Sequence, residues 1–310
     1  MSISPSSASL SPKTLLVIAG PTAVGKTAIS INLALQLHTS IISADSRQCY
    51  REMSIGTAKP SPSELAHVKH YFINDHSITE DLSAADYESI ALTHLQEIFT
   101  TNNVAIACGG TGLYIKALCE GLDPMPPVNP AIEESTLKEY KSHGILWLQE
   151  SLRTEDPDFF IRAELANPAR LLRALTFKRS TGRSILEFRK GHRKIRPFRI
   201  IKTALDLPRE ELYNRINLRV DQMMSQGLLH ELKNLYPHRH LKNLQTVGYA
   251  ELFNYLDGNS SLEEAVEKIK QHTRNYAKRQ LTWFRKDPEF TWFNAHNPHI
   301  LEEIQALLPK

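Results

Sequence analysis

The amino-acid sequence predicts an α/β fold, in which helices cover a parallel sheet and a helical domain is inserted into the chain. Short apolar runs rich in branched residues, typical of buried parallel strands, alternate with helical segments over residues 15–120. A further run of this kind, 200–207, follows much later. Between the two parts, residues 128–197 have helical periodicity and no strand signal, which predicts the insertion.

The first predicted strand, 15–19, is followed directly by the sequence GPTAVGKT and then by apolar residues at helical spacing. GPTAVGKT fits G-x-x-x-x-G-K-[ST] and has the strand and helix that this motif needs on either side. Backbone N–H groups and the helix N-terminus attract phosphate at such a turn. We therefore predict a phosphate-binding loop, with the Thr27 hydroxyl as a ligand of Mg²⁺. Its residues are Gly20, Pro21, Thr22, Ala23, Val24, Gly25, Lys26 and Thr27.

Polar residues follow the next two predicted strands, 40–44 and 104–108. Ligands of open α/β sheets bind at the carboxyl ends of the strands, so we expect Asp45 and Thr111 to face the phosphate loop. A carboxylate there can hold water bound to Mg²⁺ or act as a general base. The alternatives are a turn or helix-capping role for Asp45 and a simple strand-to-helix turn around Thr111.

Segments between these strands are predicted from weaker signals. Residues 51–85 are expected to form a long loop with one short helix from Ser63, and 84–99 and 113–120 to form helices. After the strand 200–207, a helix begins at Pro208 and carries Arg219. The last long helix, from Ser261 to about Lys286, carries a basic stripe suited to a nucleic-acid backbone. The stripe consists of Lys270, Arg274, Lys278 and Arg285.

Four prolines within residues 123–130 exclude a helix or a central strand there, which indicates a hinge. We predict a core domain of residues 13–122 and 198–310, an inserted helical domain of 123–197, and a disordered tail of 1–12. The predicted helices of the insertion are 131–142, 146–153 and 168–180.

Positive charge is concentrated in one stretch. The whole chain has a net charge of only +3, but residues 162–202 contain thirteen lysines and arginines against two acids, Glu164 and Glu187. Such a one-sided excess favours a surface that binds a polyanion over a solvated helix face.

The three cysteines form no C-x-x-C pair, and no apolar run approaches the roughly 18 residues of a membrane span. We expect a cytoplasmic protein.

Six segments, in this order, resemble the bacterial tRNA dimethylallyltransferases, also called tRNA isopentenyltransferases. Together they span about residues 14–294. The sequence departs from the family pattern in two places. Arg47 and Cys49 stand where the family more often has apolar residues, and Asn167-Pro168-Ala169-Arg170 replaces a more usual Asp-Pro-Gln-Arg. The segments are GPTAVGKT, SADSRQCYREMSIGTAKP, GGTGLYIKALCEGL, LPREELYNRINLRVDQMMSQGLLHEL, LQTVGYAELFNYLDG and NYAKRQLTWFRKD.

The resemblance implies a P-loop NTPase-like core with an inserted all-helical domain. It implies transfer of a dimethylallyl group from dimethylallyl diphosphate to the exocyclic amine of adenosine 37 of tRNA, with release of diphosphate. By motif position, Asp45 is the general base and Arg219 a diphosphate contact, both catalytic. Residues 22–27 hold the diphosphate, and Thr111 lies beside the target nucleotide.

The resemblance also implies that the anticodon stem-loop of tRNA is bound by several segments of one chain. We expect a monomer with no obligate protein partner and no membrane contact. The implied tRNA-binding residues are Asp45, Ser46, Arg47, Gln48, Thr111, Pro168, Ala169, Arg170, Leu171, Leu172, Gln245, Gly248, Tyr249, Arg274, Lys278, Arg279 and Gln280.

Three other functions use some of the same residues. A P-loop kinase of a small acceptor fits the sequence up to the first helix. An isopentenyltransferase that acts on free adenine nucleotides would share the core, but it needs neither the basic insertion nor the basic C-terminal helix. A non-catalytic RNA-binding protein has no need of Lys26, Thr27 and Asp45 together.

Overall fold

The computed structural model describes residues 12–309, and its centre is a six-stranded parallel sheet. In chain order the strands are β1 (Thr14–Ala19), β2 (Ile41–Ser43), β3 (His70–Tyr71), β4 (Val104–Gly109), β5 (Arg199–Asp206) and β6 (Phe290–Asn294). They lie in the order β3-β2-β4-β1-β5-β6, and every neighbouring pair is parallel. The predicted α/β class is confirmed.

Twelve α-helices lie between and after the strands of the described chain. They are α1 (Lys26–Gln36), α2 (Pro62–His67), α3 (Ala84–Thr101), α4 (Gly112–Glu120), α5 (Pro130–Glu155), α6 (Pro157–Arg162), α7 (Pro168–Thr181), α8 (Arg209–Ser225), α9 (Leu228–Leu235), α10 (Tyr249–Leu256), α11 (Leu262–Phe284) and α12 (Ile300–Gln305). Short 3₁₀ helices lie at Ile185–Glu187, Tyr236–His238 and Lys242–Leu244. Within residues 12–309, no helix has the length and apolar character that crossing a membrane requires.

The central strand β1 explains why the first apolar run is continuous. Alternate residues of a strand point to opposite faces of the sheet, and both faces of β1 are buried. Leu15 and Val17 join the apolar core that includes residues of α3 and α4, whereas Leu16 and Ile18 join the one that includes residues of α1. The carboxyl end of β1 is thereby fixed beside the ends of β4 and β5.

The chain divides into two compact units, and each has an apolar core. The first unit extends to Cys119 and resumes at Ile195; the second is Glu120–Lys194. Each boundary lies three residues before the predicted domain boundary. The core of the second unit is built from α5, α6 and α7, and α5 is interrupted at Gly144, where φ is +76°. Residues 1–11 of the predicted tail lie outside the described residues.

Several elements differ from the sequence prediction. The loop predicted for 51–85 contains the two-residue edge strand β3, and the sequence analysis does not predict β6, α6, α9, α10 or α12. Both unpredicted strands lie at the edges of the sheet and are only partly buried, so they lack the continuous apolar run that marks a central strand.

Candidate active site

The predicted phosphate loop, residues 20–27, connects the carboxyl end of β1 to α1. Its path places two glycines in the left-handed region, with φ of +141° at Gly20 and +105° at Gly25. Gly20 also lies close to β5, since a Cβ there would be 2.8 Å from the carbonyl oxygen of Leu205. The loop therefore reaches the N-terminus of α1 at Lys26, where N–H groups and the helix dipole favour a bound phosphate.

A buried glutamine of α11 holds this loop against the end of β4. Gln280 Oε1 accepts a hydrogen bond from the Thr22 N–H at 2.9 Å, and Gln280 Nε2 donates one to the Gly110 carbonyl oxygen at 2.9 Å. A Cβ at position 110 would lie 2.1 Å from Gln280 Nε2, so a larger residue there would displace this side chain from its hydrogen bonds. The side chain of Gln280 is thus part of the framework of the site.

Asp45 follows β2 at the same edge of the sheet as the phosphate loop. Its Oδ1 accepts hydrogen bonds from the backbone N–H groups of Arg47 at 2.9 Å and Gln48 at 3.4 Å, so it also forms a turn. The next residue is tied to the end of β4, since the Ser46 N–H donates to Thr111 Oγ1 at 3.1 Å. These contacts fix the carboxylate at the carboxyl ends of two neighbouring strands.

Two cations lie within electrostatic reach of Asp45. Burial lowers the pKa of Lys26 to about 8; Arg219 adds to this shift, while Cys108 and Asp45 oppose it. Burial also lowers the pKa of Arg219, again opposed by Asp45. A bound anion would favour the charged forms of both cations. The pair is therefore suited to a substrate that carries phosphate.

A cavity of about 250 Å³, here called the Asp45 cavity, lies beside this carboxylate. Arg219 and Tyr276 add polar groups to its wall. Among the described lining residues, Asp45 is the only acid. The cavity can therefore hold an apolar group beside one carboxylate and the guanidinium groups of Arg47 and Arg219. Its apolar lining is Ile216, Val220, Met223, Leu228, Val247 and Ile269.

A second pocket, of about 580 Å³, adjoins the Asp45 cavity and shares Ala58 and Arg219 with it. Thr27 of the phosphate loop and Lys59 line this second pocket. Burial lowers the pKa of Lys59 to about 8. Arg219 thus borders both spaces: one contains the Asp45 carboxylate, and the other contains the loop hydroxyl of Thr27 and a lysine.

Two side chains at this site were missed by sequence reasoning. Tyr276 of α11 lines the Asp45 cavity; burial and then Asp45 raise its pKa to about 12. Its position one helical turn before Gln280 is the signal that could have indicated it. Glu231 accepts hydrogen bonds from the backbone of residues 54–56, but α9, which carries it, was not predicted.

The residues predicted to bind tRNA occupy different surroundings. Ser46, Arg47 and Gly248 line the Asp45 cavity together with Asp45 itself. Among those with surface exposure are Ala169, Arg170, Gln245, Lys278 and Arg279. Three of the residues predicted to bind tRNA have side chains that are buried and pack inside the protein. For these three, the prediction of an RNA contact applies to the segment that carries the residue and not to its side chain. These buried residues are Leu171, Tyr249 and Gln280.

The basic stripe predicted on α11 is not continuous. Lys270 forms an ion pair with Asp221 at 2.9 Å, and Arg274 donates a hydrogen bond to Asn217 Oδ1 at 2.6 Å. Both partners belong to α8, so the prediction of one basic face is wrong for the first half of the helix. Lys278, further along, is exposed.

In the second unit, acids distant in sequence neutralise part of the basic excess. Arg179 forms ion pairs with Glu155 at 2.7 Å and Glu139 at 3.3 Å, which the count of acids within 162–202 did not include. Unlike Arg179, three other arginines of this unit are exposed. We call them the arginine cluster: Arg170, Arg173 and Arg189. Burial, then Arg173 and Arg170, lower the pKa of Arg189, as expected for like charges held together.

A phosphate loop at the carboxyl edge of a parallel sheet, beside a cavity with one carboxylate, defines a P-loop-like α/β enzyme. The chain belongs to the IPP transferase family, whose model matches residues 48–287. The resemblance inferred from the six sequence segments is confirmed.

Named relatives match almost the whole chain. A tRNA dimethylallyltransferase of Christiangramia forsetii is 48% identical over 294 residues, covering 94% of this chain and 97% of the relative. The tRNA dimethylallyltransferase 1 of Bacteroides thetaiotaomicron is 47% identical over 293 residues, covering 94% and 95%.

Two solved structures are also similar to this chain over almost its whole length. The tRNA isopentenylpyrophosphate transferase of Bacillus halodurans superposes with a TM-score of 0.69 at 36% identity, covering 95% of this chain and 94% of that one. A eukaryotic dimethylallyltransferase acting on tRNA superposes with a TM-score of 0.73 at 25% identity, covering 95% and 78%.

Proposed function

We propose that this protein transfers a dimethylallyl group from dimethylallyl diphosphate to the exocyclic amine of adenosine 37 of tRNA, next to the anticodon. The observation that carries the proposal is the Asp45 cavity, in which apolar walls, one carboxylate and Arg219 meet beside the phosphate loop. Such a cavity suits a donor with a small apolar group attached to an anion. The names of the relatives support a dimethylallyl group as the group transferred and tRNA as the acceptor molecule.

The diphosphate binds at the phosphate loop, between Lys26 and Arg219. Both cations and the N–H groups at the start of α1 neutralise the charge that develops as the allylic C–O bond breaks. The Thr27 hydroxyl fits Mg²⁺, a metal that prefers oxygen ligands and is often shared with substrate phosphates, and Thr27 lines the pocket next to Arg219. When bound there, Mg²⁺ would add further charge stabilisation for the departing diphosphate.

Asp45 takes the proton of the adenine amine as the new bond forms. The nitrogen lone pair forms the N–C bond, the electron pair of the C–O bond leaves with diphosphate, and the amine proton passes to Asp45. An adenine amine is a poor nucleophile, so a positioned base is required. The apolar residues of the Asp45 cavity exclude water, which would otherwise capture the allylic cation.

The acceptor nucleotide must leave its stack to reach Asp45. This costs less in a single-stranded anticodon loop than in a duplex, and proteins read RNA mainly at such loops. Residues 45–48, 168–172, 245–250 and 274–281 bind the tRNA in our proposal, with Thr111 beside the target base. The exposed arginine cluster of the second unit supports this, because phosphate contacts dominate affinity for nucleic acids.

The proposed enzyme acts as a monomer in the cytoplasm. Light scattering at the concentration of the activity assay tests the monomeric state, and a dimer that dissociates with loss of activity would contradict it.

One assay tests the proposed reaction against the alternatives. Purified protein is incubated with labelled dimethylallyl diphosphate or with labelled ATP, and with tRNA or AMP as the acceptor. We expect label to pass from dimethylallyl diphosphate to tRNA. Transfer to AMP would indicate an isopentenyltransferase of free nucleotides, phosphate transfer from ATP a kinase, and tRNA binding without transfer a non-catalytic protein.

A further inference from the structure

Glu231 makes an unusual set of contacts for a side chain on a short helix. Its Oε2 accepts hydrogen bonds from the backbone N–H groups of Ser54 at 3.0 Å and Ile55 at 2.7 Å. Its Oε1 accepts one from the Gly56 N–H at 3.2 Å and one from the Tyr249 hydroxyl at 2.6 Å. Four donors therefore converge on one carboxylate, and three of them belong to consecutive residues.

The backbone that Glu231 holds, residues 54–58, forms part of the wall of both pockets. Ser54 and Ile55 line the larger pocket, and Gly56 lines the Asp45 cavity. The segment is also in close contact with α10, because a Cβ on Gly56 would lie 2.5 Å from Cε2 of Tyr249. Its position relative to the reacting groups therefore depends on Glu231 and its partner Tyr249.

The same segment contacts Arg219 directly and is linked to Asp45 through Gln48. The Ala58 carbonyl oxygen accepts a hydrogen bond from Arg219 Nη2 at 3.4 Å and another from Gln48 Nε2 at 3.2 Å. Gln48 in turn donates its backbone N–H to Asp45 Oδ1 at 3.4 Å. One short stretch of backbone thus links the orientation of the guanidinium to the turn that holds the carboxylate.

We propose that Glu231 is a positioning residue of the donor site, which orients the Arg219 guanidinium toward diphosphate by fixing residues 54–58. The proposal rests on the proposed function and extends it to a residue that touches no substrate. A carboxylate suits the position because it only accepts hydrogen bonds and can receive all four donors. A glutamine would offer one acceptor oxygen and turn its NH₂ group toward N–H donors.

The test is a double-mutant cycle read by binding of inorganic diphosphate in calorimetry. Glu231→Gln should weaken binding by roughly tenfold or more, the loss expected when a hydrogen bond between the guanidinium and the charged ligand is weakened. In the Arg219→Ala background, Glu231→Gln should cause little further loss, because its effect passes through the missing guanidinium. Additive losses in the cycle would overturn the proposal.

Glu52 provides a matched control. It is also half-buried and holds a loop of the same unit, accepting hydrogen bonds from Ser77 Oγ at 2.9 Å and the Ile78 N–H at 3.1 Å. It lines neither pocket. Glu52→Gln should leave diphosphate affinity unchanged, and a loss equal to that of Glu231→Gln would reduce Glu231 to a general structural role.

Two further measurements keep the proposal testable. If Glu231→Gln does not fold, Tyr249→Phe, which removes one of the four donors, should still weaken diphosphate binding several-fold; unchanged binding would overturn the proposal. In Glu231→Gln, the backbone amides of residues 54–56 should exchange hydrogen faster. Unchanged exchange would contradict the proposal that Glu231 fixes this backbone. Both readouts are independent of tRNA, so a failure of the proposed transfer reaction is distinguished from a failure of the Glu231 proposal.

Discussion

The two units of this protein carry their positive charge in different ways. In the first unit, Lys26 and Arg219 are partly buried, and burial lowers the pKa of both. In the second unit, Arg170 and Arg173 are exposed at the start of α7, while Arg179 is already paired with two glutamates. The first unit thus holds partly buried cations within electrostatic reach of Asp45, and the second presents cations at a surface.

This difference separates two kinds of electrostatic action. A partly buried cation is weakly screened and acts over a short distance in one geometry. An exposed cation acts through a field that salt screens within about 10 Å. Substitutions in the first unit should therefore change chemistry and donor binding, whereas those in the second should change tRNA affinity and its dependence on salt.

The largest effect is expected at Asp45. Asp45→Ala and Asp45→Asn should both slow transfer by on the order of 10²–10⁴-fold, the usual loss for a general base, while tRNA still binds. The asparagine variant keeps an oxygen that can accept the hydrogen bonds from Arg47 and Gln48, so it separates the base from the turn. Single-turnover rates measure the loss; an asparagine variant within a few-fold of wild type would assign Asp45 to the turn alone.

Removal of the donor-site cations should have the next largest effect. Lys26→Ala and Arg219→Ala should reduce kcat/KM for dimethylallyl diphosphate by roughly 10²-fold and leave tRNA affinity nearly unchanged. The matched control is Arg215→Ala, one turn earlier on α8, where the guanidinium pairs with Glu211 at 2.9 Å. Equal losses in Arg215→Ala and Arg219→Ala would show that the helix, not the guanidinium beside Asp45, sets donor binding.

The parts of this unit that were predicted from sequence have strong local signals. The run 15–19 is apolar because β1 is buried on both faces, and the motif at 20–27 has glycine at two of its three positions with positive φ, the third being Ala23. Asp45 was placed correctly beside the loop because carboxyl ends of parallel strands meet at one edge. These predictions depend only on neighbours in sequence and on one rule of topology.

The parts that were missed depend on contacts between distant residues. Glu231 and residues 54–56 are separated by about 175 positions, and no local pattern pairs them. Arg179 looked available for a polyanion until the fold brought Glu139 and Glu155 to it. Sequence composition records charges, but only the fold shows which of them are neutralised.

The buried lysine of the phosphate loop predicts a pH dependence. Lys26 is charged below its pKa of about 8, so kcat/KM for dimethylallyl diphosphate should fall as pH rises through this value. Above this pKa, kcat/KM should decline by about tenfold per pH unit. In the pH profile of kcat, the decline should begin at a higher pH, because bound diphosphate favours the charged ammonium group of Lys26. Lys26→Arg should remove the decline near pH 8. A wild-type profile that stays flat to about pH 10 would contradict the lowered pKa.

A smaller effect is expected in the second unit. Arg170→Ala should reduce the slope of log affinity for tRNA against log salt by roughly one, as for loss of one phosphate contact. Arg153→Ala is the control, since Arg153 is exposed in the same unit but pairs with Glu150 at 2.6 Å. Filter-binding titrations at several salt concentrations measure both slopes. Identical slopes in wild type and Arg170→Ala would remove the arginine cluster from the tRNA surface.

The most direct test of the proposed function is the position of the transferred group. Wild-type protein is incubated with labelled dimethylallyl diphosphate and unmodified tRNA, and the tRNA is then digested to nucleosides and to defined fragments. Our account predicts label only on adenosine, on its exocyclic nitrogen, in the fragment that contains position 37, and almost none with Asp45→Asn. Label on another nucleoside or in another fragment, or undiminished labelling by Asp45→Asn, would contradict it.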